Sequence, residues 1–378
     1  MRNLLLLLFI LGFTFSSNAQ DSLLIDSLQM QLDRILSQDG APGATLAIIL
    51  PDDQKISLAS GWEDKEEEDI MLPGSRMLAG SVGKTFFSAL ALKLIAERDI
   101  SLDTLIAPWF EEETWFDSIP NAQTITLRML MNHTSGIPRY VFQPDFLAAL
   151  KANPMKRWQP AELLAFVLDK KPVHAAGQGW GYSDTNYIIL GMIVEKWVNK
   201  SIYVEAKRRV LGPVGLFQTR PSYKRQLTGL TQGHVGDFNP FGLPKKVVSN
   251  GVYAINPQFE WTGGGYMSNV DDLARWIKAV HTRNVVPKSL YADFVQAADL
   301  KTGQAAEFGY GLGTFVWDTK FGTQYGHSGF FPGYITIVEY NPELNVSIAI
   351  QYNSDGSGGR NLHNNVLTIM EMVARNLK

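Results

Sequence analysis

The stretch from Gly80 to Glu97 constrains this chain more than any other. Beyond Lys84 it runs through Phe86, Phe87, Ala89, Leu90, Ala91, Leu92, Leu94, Ile95 and Ala96, apolar nearly all the way round a helix. A helix without a polar face is buried rather than laid on a surface. Its first turn nevertheless carries Ser81 and Lys84, three residues apart and therefore on one face. An unpaired lysine is costly to bury. Chemistry supplies a reason to do so: a nearby, partly desolvated amine can take a serine proton, and a helix N-terminus favours developing negative charge. On this tetrapeptide alone, a capping serine followed by a solvated lysine is the simpler explanation. The remainder of the chain decides between them.

The chain opens with Arg2, an apolar run from Leu4 to Phe13, and the small-residue stretch Ser16-Ser17-Asn18-Ala19. That is the layout of a secretory leader over residues 1–19, with cleavage expected after Ala19. The run is shorter than the roughly 20 residues a spanning helix needs. No cysteine follows Ala19, so a lipid anchor is not expected, and no later run predicts a transmembrane anchor. With no cysteine at all, stability rests on the core rather than on disulfides, and 45% hydrophobic residues supply one. Removing Arg2 with the leader leaves 33 basic against 37 acidic residues, a net charge of −4. Such mild acidity gives no reason to expect a nucleic-acid partner. The six histidines (133, 174, 234, 281, 327 and 363) are scattered and form no His-x-x-x-His pair, so no metal and no cofactor are expected.

Periodicity predicts a helix over 22–38 and strands at 44–50 and 55–60, joined by Pro51-Asp52-Asp53. The charged run Glu63–Asp69 reads as a solvated loop. Short helical patterns at 125–131, 161–168, 186–198 and 204–210 are broken by glycines and prolines. Strands return at 311–317, 334–340 and 346–352, and a helix at 361–376 closes the chain. The expected fold is an α/β architecture of the α+β type: one antiparallel sheet built from both chain ends and flanked by the terminal helices. Residues 20–104 with 261–378 would form that sheet domain, and 105–260 a mainly helical inserted lobe.

Three stretches stand out as partners for Ser81. Asn132-His133-Thr134-Ser135-Gly136-Ile137-Pro138 is a hydrogen-bonding turn. Tyr182-Ser183-Asp184 precedes an apolar helix. His327-Ser328-Gly329-Phe330 is expected immediately before a strand. Ser81-x-x-Lys84, Tyr182-x-Asp184 and His327-Ser328-Gly329 resemble, in order and spacing, the three motifs of the penicillin-recognising serine hydrolases. The nearest branch is similar to class C β-lactamases and their relatives among D-alanyl-D-alanine carboxypeptidases, D-aminopeptidases and esterases. The Asn132–Pro138 turn and Thr262–Ser268 are similar to accessory signatures of that branch, and the likeness covers essentially the whole chain beyond the leader.

The resemblance implies a β-lactamase/transpeptidase-like fold and an acyl-enzyme formed on Ser81, with Lys84 beside it and Tyr182 as general base. A phenol of pKa near 10 needs a cationic neighbour to work near neutrality. The oxyanion hole would be the main-chain N–H groups of Ser81 and Phe330. Asp184, His327, Ser328 and Gly329 would bind a small-molecule or peptide substrate, Gly329 letting the strand edge come close. Two positions depart from the motifs: Asp184 stands where asparagine is usual, and His327 where lysine is usual. An ionised carboxylate only accepts hydrogen bonds, and an imidazole weakens the positive field that meets a substrate carboxylate. Both departures argue against an efficient β-lactamase. They fit hydrolysis of D-amino-acid peptides or related amides, with a carboxylesterase or weak β-lactamase as the near alternative. A non-catalytic cell-wall-peptide binding protein is the alternative from another class. Oligomeric state stays open.

His133 reads as a structural turn residue, and Trp158, Trp180 and Trp261 as core or cleft wall. No Gly-x-Ser-x-Gly occurs, so a nucleophile elbow of the α/β-hydrolase kind is unsupported.

Overall fold

In the computed structural model, residues 16–282, 285–356 and 361–377 are described. Most of the expected leader therefore lies outside the described residues. Among the described residues no helix is long and apolar enough to cross a membrane.

The two ends of the chain build one sheet. Its N-terminal strands are β1 (Gly43–Ile49), β2 (Lys55–Asp64) and β3 (Asp69–Ile70). Its C-terminal strands are β4 (Ala297–Ala298), β5 (Ala305–Ala306), β6 (Gly309–Tyr310), β7 (Phe315–Thr319), β8 (Gly322–Phe331), β9 (Tyr334–Asn341) and β10 (Val346–Tyr352). The spatial order is β5-β4-β6-β7-β8-β9-β10-β1-β2-β3, antiparallel throughout, with the ends meeting where Ala47 faces Ala349.

Every residue of β1, β9 and β10 is buried, because both faces of the sheet are covered. The alternation of side chains sorts large from small. Leu46, Ile48, Ile348 and Ile350 meet the terminal helices α1 (Ser16–Asp39) and α5 (Leu362–Asn376) through Leu28, Leu32, Val366 and Ile369. Ala47 and Ala349 face the other layer, where α4 (Val270–Thr282) lies against the sheet. Behind α4 comes the apolar stretch, α2 (Gly83–Glu97), with Phe86 edged by Trp276 at 4.8 Å and the Trp276 indole N–H donating to Thr85 Oγ1 at 2.7 Å. α3 (Asp184–Val198) packs on its far side. α2 is thus enclosed, as its composition requires.

Several local expectations are corrected. The charged run is solvated from Lys65 to Asp69 as expected, but it forms the turn of a hairpin, and at its start buried Asp64 ends β2 and takes Lys246 Nζ at 2.8 Å. His327-Ser328-Gly329 precedes the strand β9 as expected but is itself within β8, where the glycines at 326 and 329 hide its strand character. The strand expected from Gly311 begins at Phe315, after a turn in which Gly313 has φ +95°. The pattern at 204–210 divides between a helix, Ile202–Ala206, and a π-helical turn, Lys207–Leu211.

Because Leu28 is fully buried between α1, the sheet and α5, Leu28→Ala is expected to cost about 2–5 kcal/mol of unfolding free energy, measured by urea denaturation.

Candidate active site

Ser81 sits in the 3₁₀ turn Gly80–Val82 that feeds directly into α2. This turn is wedged against β8. Pairing of β7 with β8 stops at Gly326, and beyond it β8 runs past the turn instead. The approach is too close for side chains. A Cβ at Gly329 would stand 2.0 Å from the Ala79 carbonyl oxygen, and one at Gly80, where φ is +52°, would stand 2.7 Å from Phe330 N. Glycine at both positions brings the Phe330 main chain over the Ser81 turn.

Lys84 is fully buried one turn beyond Ser81. Its ammonium has three N–H donors, and three acceptors surround it. They are Ser81 Oγ at 3.1 Å, Asp184 Oδ1 at 2.7 Å and the Gly263 carbonyl oxygen. Burial pushes the amine down, but Asp184 and Tyr182 outweigh it and hold Lys84 above the ordinary lysine range. Lys84 is therefore a cation that donates to Ser81, and not a free amine waiting for its proton. Asp184 opens α3 and its second oxygen, Oδ2, accepts from Arg139 Nε at 3.0 Å and Nη2 at 2.8 Å. Burial raises this carboxyl, yet Arg139 and Lys84 hold it well below the usual carboxylate range.

Tyr182 lies between these cations, with Lys84 Nζ 4.9 Å and the Arg139 guanidinium 5.1 Å from its ring centroid. Its hydroxyl is buried near Ser81 and Lys84 but closes no well-formed hydrogen bond with either. Burial pushes the phenol up and Lys84 pulls it partly back; the net direction is upward. The Asn132–Pro138 turn supports it from behind. His133 adopts φ +66° and lies against the Tyr182 ring at 4.2 Å between centroids. The Ser183 N–H donates to His133 Nδ1 at 3.3 Å, so the neutral ring carries its proton on Nε2. The Pro138 carbonyl accepts from Ser183 Oγ at 3.0 Å and Thr185 Oγ1 at 2.7 Å. His133 is thus a structural residue behind the base candidate.

The two departing motif residues have their polar atoms engaged within the protein. Both Asp184 oxygens are occupied by Lys84 and Arg139, so this carboxylate holds cations. His327 is buried: Nδ1–H donates to the Ser328 carbonyl at 2.5 Å, which leaves Nε2 to accept from Tyr310 Oη at 2.8 Å. Burial first, then Lys84, push its pKa down to about 3. Ser328 is the exposed residue of that motif.

A cleft beside Ser81 is walled by Tyr140, Phe142, Phe241, Phe259, Phe330 and Phe331, with Arg139, Asp184 and Glu260 as its charged or acidic groups. Arg139 and Glu260 fall outside the motifs, and Gly263 falls inside the Thr262–Ser268 signature without a role read from it. Arg139 follows the Asn132–Pro138 turn directly, a position that offered a clue. Gly263 supplies only a carbonyl, which no side-chain pattern reveals. Glu260 accepts from the Gly265 N–H at 2.8 Å, and burial pushes its carboxyl up to about 8. Its neighbour Trp261 is strained, with φ 39° and ψ −117°. Trp261 and Trp158 are buried in the core, and Trp180 flanks Tyr182 at 6.3 Å.

Comparison with known proteins follows the same lines. The Beta-lactamase family profile matches residues 31–368. Penicillin-binding protein 4* of Bacillus subtilis is 26% identical over 74% of this chain and 60% of its own length. Protein flp of Staphylococcus aureus is 25% identical over 87% of this chain and 64% of its own. The chain thus spans less than two thirds of these curated relatives. Among solved structures, a D-stereospecific amidohydrolase from Streptomyces sp. superposes with TM-score 0.75 at 24% identity, covering 87% of this chain and 94% of that one. A D-amino acid amidase from Ochrobactrum anthropi SV3 gives TM-score 0.78 at 20% identity, covering 93% and 99%. At these identities the structural likeness concerns the fold.

The burial and pairing of His327 predict that its imidazole stays neutral from pH 8 down to about 4, its ordinary titration near 6.5 being absent. Side-chain ¹⁵N NMR of His327 across that range checks this; a titration between pH 6 and 7 would contradict it.

Proposed function

Because the chain belongs to the Beta-lactamase family of serine hydrolases, we propose that it cleaves D-amino-acid peptides or related amides through an acyl-enzyme on Ser81. The observation that carries this reading is the saturated Lys84 ammonium, which fixes Ser81 Oγ at 3.1 Å while Tyr182 stands over both. A binding protein has no use for a buried cation aimed at a serine, and burying one without purpose is costly.

In the proposed reaction Ser81 Oγ attacks the substrate carbonyl carbon and its proton passes to the ionised Tyr182 oxygen. The carbonyl oxygen gathers negative charge between the main-chain N–H groups of Ser81 and Phe330, which the glycines at 80 and 329 bring together. Collapse expels the amine, which takes the proton back from Tyr182. Water then attacks the acyl carbon by the same route in reverse, and the acid leaves with Ser81 restored. Lys84 and Arg139 both favour the tyrosinate, and Asp184 keeps these two cations together. The fold shared with D-amino acid amidases supports amides as substrates, and the aromatic cleft supports an apolar acyl side chain. The arginine and lysine flanking the tyrosine serve the chemistry in place of the usual motif lysine. Export of the enzyme is supported by the leader-like residues 1–19.

A fluorophosphonate probe is expected to label Ser81 and to label nothing in Ser81→Ala, as read by mass spectrometry. Tyr182→Phe should retain the fold and lose about a hundredfold or more in turnover, the scale of a lost general base. Activity within a few-fold would remove Tyr182 from that role. The pH profile has a definite sign. The phenol is held above its ordinary value, so the tyrosinate fraction grows with pH throughout the neutral range. For a neutral ester such as p-nitrophenyl acetate, enzyme-catalysed kcat/KM should therefore climb from pH 6 to 9. A flat profile would rule out a high-pKa base.

A further inference from the structure

With no cation available on β8, the geometry points to Arg139 as the group that binds a substrate carboxylate beside Ser81, making peptides with a free carboxylate the preferred substrate class. This inference rests on the hydrolase reading above and names the chemistry its substrate must carry.

A substrate carboxylate entering the cleft needs a cation with an unused N–H. Lys84 is fully buried and its three donors are committed to Ser81, Asp184 and Gly263. His327 is buried with both ring nitrogens engaged, and it is neutral. Arg139 remains. It lines the cleft with Ser81, and its side chain keeps 36% exposure where Lys84 keeps none. A guanidinium has five N–H donors. Asp184 Oδ2 engages only Nε and Nη2, and Nη1 donates to no group among the described residues.

The guanidinium is also held in place. Asp184 grips one edge, the Phe142 ring lies 4.5 Å from its centre on one side, and the Tyr182 ring 5.1 Å away. Arginine fixed in this way loses little freedom on binding an anion. Charge favours the same outcome. While Tyr182 is protonated, Lys84 and Arg139 together exceed Asp184 by one positive charge, and burial pushes the Glu260 carboxyl up to about 8, toward its neutral form. The carboxylate at 184 thus has a second consequence: it aligns Arg139 and leaves that residue with donors to spare.

The test compares N-acetyl-D-alanyl-D-alanine with its C-terminal amide, in wild type, Arg139→Gln and Arg139→Lys, with p-nitrophenyl acetate as a neutral reference. Wild type should prefer the free carboxylate in kcat/KM by at least about tenfold, the scale of a charge-assisted hydrogen bond. Arg139→Gln should abolish the preference and Arg139→Lys should retain part of it, whatever either change does to ester hydrolysis. A preference near one in wild type, or one that survives Arg139→Gln, would overturn the role of Arg139 while ester hydrolysis and Ser81 labelling leave the hydrolase reading standing. Loss of Ser81 labelling and of ester hydrolysis in wild type would overturn that reading and this one with it. Should Arg139→Gln fail to fold, wild type alone decides. N-acetyl-D-alanine should inhibit ester hydrolysis more strongly than N-acetyl-D-alaninamide, and added salt should narrow the gap. Equal inhibition would overturn the assignment.

Discussion

The site depends on one buried ion pair, Lys84 with Asp184. An ammonium removed from water loses several kcal/mol of hydration, and the loss is offset only where acceptors fill every N–H direction. Here Asp184, Ser81 and Gly263 fill them. Because these acceptors come from α3, the turn before α2 and the Pro257–Gly263 segment, the cation ties three separate parts of the chain to one point. Arg139 adds a fourth through the other Asp184 oxygen. An aspartate at this position, rather than the asparagine usual in the motif, thereby puts a carboxylate between two cations.

Those contacts are possible because the surrounding structure permits unusually close approach. The Ser81 turn lies against β8 at a distance only glycines at 80 and 329 allow, and a Cβ at Gly83 would stand 1.8 Å from the Gly264 carbonyl oxygen. The strained Trp261 backbone occurs in the segment that delivers the Gly263 carbonyl to Lys84. Strain and close packing thus concentrate around the serine, while the sheet beneath is regular and covered on both faces. That division suits a site whose side chains have to be held in one fixed geometry.

The substitution at 327 shows the same logic in reverse. A lysine inside β8 would need an anion or solvent to meet its charge. Histidine instead can shed its charge, donate to the Ser328 carbonyl and accept from Tyr310, becoming part of the packed wall. Positive charge in the cleft then comes from Arg139.

Much of this was readable in the chain itself. An apolar helix with Ser81 and Lys84 in its first turn must be buried, and a buried lysine must find partners; both follow from composition and spacing. The strand and helix patterns at the two ends likewise implied a shared antiparallel sheet, since neither end alone can cover its apolar face. The order of Ser81-x-x-Lys84, Tyr182-x-Asp184 and His327-Ser328-Gly329 also singled out the residues that meet. Tertiary structure alone decided their states. Whether Lys84 is a free amine or a saturated cation depends on Asp184, 100 residues away, and on a main-chain oxygen that carries no sequence signature. Whether His327 titrates near neutrality depends on burial and on Tyr310 across the sheet. Protonation is set by desolvation and by charges a few ångströms away, and only folding brings those charges within reach.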